Sequence, residues 1–245
     1  MVTAGVLLVA YLVGSIPSGY LLVRAAKDLD VRRYGSHNVG AINVVRVGGA
    51  RLGVATLCAD VGKATGTLFV GKALALHSSV IAAAAFLVMV GHAYSIWFLL
   101  REGRFAEGKS VASGLGVMLG LAGIGVLPWP LALAPLGVWL CGLLLPRLVT
   151  GRWWHISPAT MLATATMPIA VWIAHPASSY LVLSLAMAAL ILVRHKNNVK
   201  RLLSGTEPRL GERLANADGD CPPEHSSKCE CIAQGSEAKT QGGKP

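Results

Sequence analysis

The stretch "AGVLLVAYLVGSIPSGYLLV", residues 4–23, decides the fold class. It carries no charge and matches the ~20 residues a helix needs to cross the hydrocarbon of a bilayer. A helix on the surface of a soluble domain would show a polar face to water, and this one shows none. It therefore reads as a membrane span. It lacks a basic leader, and no small-residue cleavage site follows a short apolar core, so it reads as a retained span rather than a removed signal.

Working outward, apolar runs of similar kind recur at 52–71, 79–100, 111–127, 129–146, 157–174 and 179–193. The chain of 245 residues is 53% hydrophobic and 14% charged, and its mean hydropathy of +0.57 is outside the range of soluble domains. The expected fold is an all-α integral membrane protein with about seven transmembrane helices. Residues 1–211 form the membrane domain. Residues 212–245, rich in Gly, Ser, Lys, Glu and Pro, read as a polar, disordered cytoplasmic tail.

A net charge of +10 invites a nucleic-acid reading, but its distribution argues against one. With seven spans, alternate connections fall on opposite sides. Arg24, Lys27, Arg32, Arg33, Arg46, Arg51, Arg101, Arg104, Lys109, Arg147 and Arg152 gather on one side, against Lys72 on the other. Cytoplasmic loops carry such an excess, so the N-terminus is expected outside and the C-terminus inside. Cys58 and Cys141 lie in apolar runs and read as small buried hydrophobes. Cys221, Cys229 and Cys231 in the tail lack paired CxxC spacing, and no histidines have metal-ligand spacing, so neither metal nor cofactor is expected.

Polar features cluster at the basic side. "YGSHNVGAINVVRVGG" (34–49) offers Gly35, Ser36, Asn38, Gly40, Asn43 and Arg46, glycines for close backbone approach and donors for an anion. In "REGRFAEGKSVASGLG" (101–116), Gly108, Lys109, Ser110 and Ser113 sit where a helix begins, a physically sensible phosphate site though not a Walker sequence. After the last apolar run, "RHKNNVKRLLSGTEP" (194–208) places His195 and Asn198 on one helical face. Glu207 there reads as a structural brace, and Lys196, Lys200 and Arg201 as membrane-edge cations. Asp60 and Lys63, three apart inside an apolar run, must pair or face a polar cavity. His92 reads as a ligand contact or as a hydrogen-bonded core histidine.

These three stretches resemble the motifs of the bacterial acyl-phosphate:glycerol-3-phosphate acyltransferases, the PlsY type. The first is carried by Gly35, Ser36, Asn38, Gly40, Ala41, Asn43 and Arg46. The second is carried by Gly91, His92, Gly108, Lys109, Val111 and Ala112, and the third by Arg194, His195, Asn198, Arg201, Leu202, Gly205, Thr206 and Glu207. "GSIPSGYLL" (14–22), Asp60 and Lys63 fit the same pattern, and Ser157 matches a family serine. Ile42 replaces a usual Thr, Ser95 stands near a usual Pro, and the usual Lys-Gly-Gly-Lys-Gly becomes Ala106-Glu107-Gly108-Lys109-Ser110, which marks a diverged member.

The resemblance implies transfer of a fatty acyl group from acyl phosphate to the 1-hydroxyl of glycerol 3-phosphate, in the bacterial inner membrane. Lysophosphatidic acid and phosphate would be the products. Lys109, Gly108 and Ser110 would take the phosphate of glycerol 3-phosphate. Ser36, Asn43 and Arg46 would orient the acyl phosphate, and His195 and Asn198 the glycerol hydroxyl. The general base is His195 or a substrate phosphate oxygen. Membrane lipid and other enzymes of phospholipid synthesis are the expected partners. A catalytically silent paralogue that binds a phospholipid precursor, and a small anion or lysolipid transporter, are the rival readings.

Overall fold

The computed structural model describes residues 2–105, 108–151 and 155–207, and its regular elements are all helices. The first apolar run forms α1 (Val2–Ser15) and α2 (Ser18–Lys27), bent by 40° between them. Pro17, without an N–H to continue the ladder, stands at that break. A short 3₁₀ turn (Val31–Arg33) and α3 (Ala41–Gly48) follow. Then come α4 (Ala50–Ala73), α5 (Ser78–Ala93), α6 (Ile96–Glu102) and α7 (Val111–Gly123). The chain continues through α8 (Trp129–Thr150), α9 (Ile156–Ala174), α10 (Ser179–Arg194) and α11 (Lys196–Leu203).

Each apolar run is mainly helix, with breaks at 16–17 and 94–95 and with 124–127 outside α7. Among the described residues, three helical stretches, Ser78–Glu102, Trp129–Thr150 and Ile156–Ala174, are long and apolar enough to cross a bilayer. The number rises to five when α1–α2 and α10–α11 each count as one bent span. Helix α7, with 13 residues, is shorter. Helix α4 is long enough but carries Arg51, Asp60, Lys63 and Lys72, which lower its hydropathy.

Helix α1 packs on α5, α4 on α7, and α9 between α8 and α10, while α10 returns to α5. The α1–α5 crossing depends on small residues. A Cβ on Gly14 would overlap the Val88 carbonyl, and one on Gly91 would overlap the Tyr11 carbonyl. Without a hydrophobic driving force in lipid, such close backbone approach is what van der Waals packing can exploit. Leu68, Met89, Met118, Leu121, Met187 and Ile191 fill the centre. A second cluster of Val23, Val31, Val44, Val47 and Phe98 anchors the first polar loop.

The outer surface is apolar. Leu148 is 78% exposed and Val149 81%, as suits a surface solvated by lipid. Cys58 and Cys141 are exposed on this surface rather than buried. An apolar run does not distinguish a side chain facing the core from one facing lipid, because hydrocarbon solvates both.

Candidate active site

A cavity of about 310 Å³ lies where the polar stretches meet. Ser36, Asn38, Gly40, Asn43 and Arg46 border it from the first loop and α3. Asp60 and His92 enter from α4 and α5, Lys109 and Ser110 from the start of α7, and Ser157 from α9. His195, Asn198, Arg201 and Glu207 come from the α10–α11 corner. The opposite wall is apolar, with Val54 and Leu57 of α4, Leu115 of α7, Leu136 and Trp139 of α8 and Met167 of α9. A basic, hydrogen-bonding end and a hydrocarbon wall thus share one space. Gly35, Lys63, Gly108 and Ser113 do not border it.

Asn43 organises the first loop. Its buried amide donates to the carbonyls of Asn38 at 2.8 Å, Val31 at 3.0 Å and Tyr34 at 3.1 Å. Its Oδ1 accepts the Ser36 N–H at 2.9 Å, and Asn38 Oδ1 accepts the Gly40 N–H at 2.7 Å. Gly35 has φ +64° and lies so close to Asn43 that a Cβ would overlap its Oδ1. Both asparagines therefore serve the loop backbone, and the loop holds Ser36 and Arg46 at the cavity.

The second stretch is fixed by other contacts. Ser110, in left-handed conformation with φ 57°, donates its hydroxyl to the Met89 carbonyl at 2.8 Å. The Gly108 carbonyl accepts from Arg194 Nε at 2.9 Å, and the Arg194 guanidinium lies 4.9 Å from the centre of the Tyr94 ring. A Cβ on Gly108 would overlap the His92 carbonyl, so this residue lets the chain pass close to α5 and carry Lys109 to the cavity. Ser113 is fully buried, and its hydroxyl has no partner among the described residues.

At the α10–α11 corner, Glu207 collects donors. Its Oε1 accepts from Ser157 Oγ and, at 2.8 Å, from Asn198 Nδ2; its Oε2 pairs with Arg201 Nε at 2.8 Å. Burial alone would raise the pKa of this carboxyl, but the bonds from Ser157, Asn198 and Arg201 outweigh it and hold it below the ordinary value. His195 Nδ1 lies 2.8 Å from the Ile191 carbonyl. A carbonyl only accepts, so Nδ1 carries the proton and Nε2 keeps its lone pair. Burial, reinforced by the charge of Lys109, pushes the His195 pKa down to about 4 against that carbonyl bond.

Comparison with known proteins decides the lineage. Residues 4–205 match the family model of glycerol-3-phosphate acyltransferase. The chain belongs to that family. The glycerol-3-phosphate acyltransferase of Synechococcus sp. (strain JA-2-3B'a(2-13)) is 37% identical over 203 residues, covering 83% of this chain and 92% of its own. That of Methylococcus capsulatus is 37% identical over 204 residues, covering 83% of this chain and 94% of its own. Two crystal structures of PlsY (YgiH), an integral membrane glycerol 3-phosphate acyltransferase, superpose on this chain. The glycerol 3-phosphate form has a TM-score of 0.74 and the lysophosphatidic acid form 0.72. Both are 31% identical to this chain and cover 86% of it and 96% of themselves. The protein is accordingly a multi-pass integral membrane protein of the acyltransferase family.

Against that family background, three features escape the sequence reading. Arg201, read as a membrane-edge cation, instead borders the cavity and pairs with Glu207. The apolar wall from α8 and α9 is the second. Ile156, Ala163 and Met167 recur at helical spacing along α9, and that register was its one signal. The third is a clasp between the first two loops. Arg32 bonds both oxygens of Glu102 at 2.8 Å and both oxygens of Asp30 at 2.7 and 2.9 Å, with its guanidinium 4.2 Å from the Phe98 ring centre. Glu107, Trp153, Trp154, Arg152 and the cysteine-bearing tail lie outside the described residues.

Proposed function

We propose that this membrane acyltransferase moves a fatty acyl group from acyl phosphate to the 1-hydroxyl of glycerol 3-phosphate, releasing lysophosphatidic acid and inorganic phosphate. The observation that carries the proposal is the joint cavity: cations and hydrogen-bond donors at one end and hydrocarbon at the other suit two phosphates and one fatty tail. Lys109, with the free N–H groups at the start of α7, holds the phosphate of glycerol 3-phosphate. Ser36 and Arg46 hold the acyl phosphate, and Arg46 stabilises the charge that grows on the departing phosphate. Asn43, Asn198, Ser157 and Glu207 keep those groups in place.

In the reaction, the 1-hydroxyl oxygen bonds to the acyl carbon while the bond from that carbon to the phosphate oxygen breaks. His195 Nε2 accepts the hydrogen bond of the attacking hydroxyl and aims it. With a pKa pushed to about 4, His195 is a weak base. A substrate phosphate oxygen, with a second pKa near 6, is the better proton acceptor. An activated acyl donor needs alignment and charge stabilisation more than covalent assistance.

The chain crosses the bacterial inner membrane seven times in this reading, with the N-terminus outside, the three motifs at the cytoplasmic face and residues 212–245 as a cytoplasmic tail. The excess of cations in the motif-bearing loops supports this orientation. One assay tests the function. Purified protein in detergent receives labelled glycerol 3-phosphate with acyl phosphate, acyl-CoA or acyl carrier protein. Acyl phosphate should support product formation, with phosphate released one for one. Equal turnover with acyl-CoA alone would overturn the donor assignment.

A further inference from the structure

Beneath the catalytic loops lies a buried charged group that the mechanism above leaves unused. Asp60, 1% exposed, borders the cavity from the middle of α4. Its Oδ1 pairs with Lys63 Nζ at 2.9 Å, while its buried Oδ2 has no partner among the described residues. A buried acceptor in that state calls for a donor from elsewhere. Lys63 cannot turn toward a ligand to supply it. Its ammonium also donates to the Ile16 carbonyl at 3.1 Å, which the helix break at Pro17 makes available, and lies 3.0 Å from His92 Nδ1.

An ammonium only donates, so His92 Nδ1 accepts and the imidazole proton sits on Nε2. The 3.4 Å approach of Nδ1 to Asp60 Oδ1 then brings two acceptors together and supplies no hydrogen bond. The neighbours of Asp60 are thus committed, and what remains on the cavity side is a carboxylate seeking a hydroxyl. Anions are poor candidates beside it. A substrate that carries hydroxyls as well as a phosphate is a good one.

We propose that Asp60 is a substrate-binding residue whose carboxylate accepts a hydrogen bond from the glycerol hydroxyl that is not acylated. The proposal rests on the acyltransferase reading for the identity of the ligand. The division of labour follows from the two acceptors at the cavity. His195 Nε2 belongs to the α10–α11 corner and meets the attacking hydroxyl, while the Asp60 carboxylate, paired with Lys63, accepts a hydrogen bond from the other. Asp60 thereby makes the site ask for a vicinal hydroxyl beside the reacting one.

The test compares glycerol 3-phosphate with 3-hydroxypropyl phosphate, which keeps the phosphate and the reacting hydroxyl but lacks the middle one. Affinities of the full-length protein in nanodiscs are measured by calorimetry without acyl donor, in the wild type, in Asp60→Asn, and in Asp60→Asn combined with Lys63→Met. The double variant removes the ammonium that the single one leaves unpaired. The wild type should prefer glycerol 3-phosphate, and Asp60→Asn should shrink that preference about ten- to a hundredfold, the worth of a hydrogen bond to a charged group. A purely structural role would weaken both ligands equally and leave the ratio intact. That result in either variant, or a wild type indifferent to the middle hydroxyl, would overturn the proposal. Because no donor is present, the ratio judges Asp60 on binding alone, and the acyltransferase reading is judged separately by the donor assay above.

Discussion

The first loop and the α10–α11 corner solve the same problem with different chemistry. Both hold polar side chains at one cavity, next to lipid. The loop is organised by a neutral amide, Asn43, whose four hydrogen bonds all go to backbone. The corner is organised by a carboxylate, Glu207, whose partners are the side chains of Ser157, Asn198 and Arg201. An amide network does not titrate and tolerates no change of shape. A carboxylate network responds to pH and tolerates an isosteric neutral replacement better.

The sharpest way to break this contrast is Asn43→Ala. It strands the carbonyls of Val31 and Asn38, whose bonds are buried, at about 1–3 kcal/mol each, and the half-buried Tyr34 carbonyl and Ser36 N–H at less. We expect a loss of at least ~3 kcal/mol, seen as a large drop in thermal stability with glycerol 3-phosphate binding abolished. Asn43→Asp should be nearly as damaging, since it keeps the acceptor for Ser36 and loses all three donated bonds. A stable, active Asn43→Ala protein would mean that the loop does not depend on this amide.

Next in size is Lys109→Ala, at a residue that borders the cavity. Charge-assisted phosphate contacts are worth roughly 1.5–3 kcal/mol, so KM for glycerol 3-phosphate should rise about ten- to a hundredfold. The melting temperature should stay put. Arg46→Ala should lower kcat instead. Steady-state kinetics of both variants check this, and wild-type constants would make the two residues ordinary membrane-edge cations.

Glu207→Gln should cost less, about 1–2 kcal/mol, because the amide still fills the space and still accepts from Asn198. The pH dependence carries the distinction. The Glu207 pKa is lowered on folding, so its stabilisation is fully present above the unfolded value of 4.5 and is lost as pH falls through the folded one. Thermal unfolding followed from pH 6 downward should show this loss in the wild type and a flatter profile in Glu207→Gln. Parallel profiles would show that the charge of Glu207 does not hold the corner.

The smallest effect concerns His195. With a folded pKa of about 4 it stays neutral well below the ordinary histidine value of 6.5, so it should produce no acid limb between those values. The limb expected near pH 6 in kcat/KM belongs to the substrate phosphate. It should persist in His195→Gln, at lower turnover. Disappearance of the limb in that variant would return the base role to His195. The same shift has a stability counterpart. The unfolded chain takes up this proton near 6.5 and the folded one near 4, so falling pH across that window destabilises the wild type.

Much of the architecture was legible in the sequence because a bilayer leaves few options. Every apolar run became mainly helix, since backbone polar groups in hydrocarbon must bond within their own segment. The number of crossings was less legible. Helix α4 carries charges that pair inside the bundle, and α1–α2 is broken at Pro17, so neither length nor hydropathy alone counts them. At the site, residue types in the three stretches drew attention to the right segments, but not to the work each side chain does. Nothing in the sequence distinguishes an Asn that meets a ligand from one that meets three carbonyls. Arg201 looked like its neighbours Lys196 and Lys200 because composition is blind to which face of α11 turns toward Glu207. The α8–α9 wall was hidden for the reason that Cys58 and Cys141 were misplaced: lipid, core and cavity all accept the same apolar residues.

The Arg32 clasp has a consequence for the heat of binding. By tying the first loop to α6 through Glu102 and Asp30, and by resting on Phe98, it fixes the loop's backbone as part of folding. The ordering entropy is then met before any substrate arrives, and glycerol 3-phosphate encounters a rigid receptor. Binding should accordingly show a small heat-capacity change and little entropic penalty, unlike a loop that folds around its ligand. Cutting the clasp with Glu102→Gln would leave every cavity residue present and move the cost of ordering into the binding step.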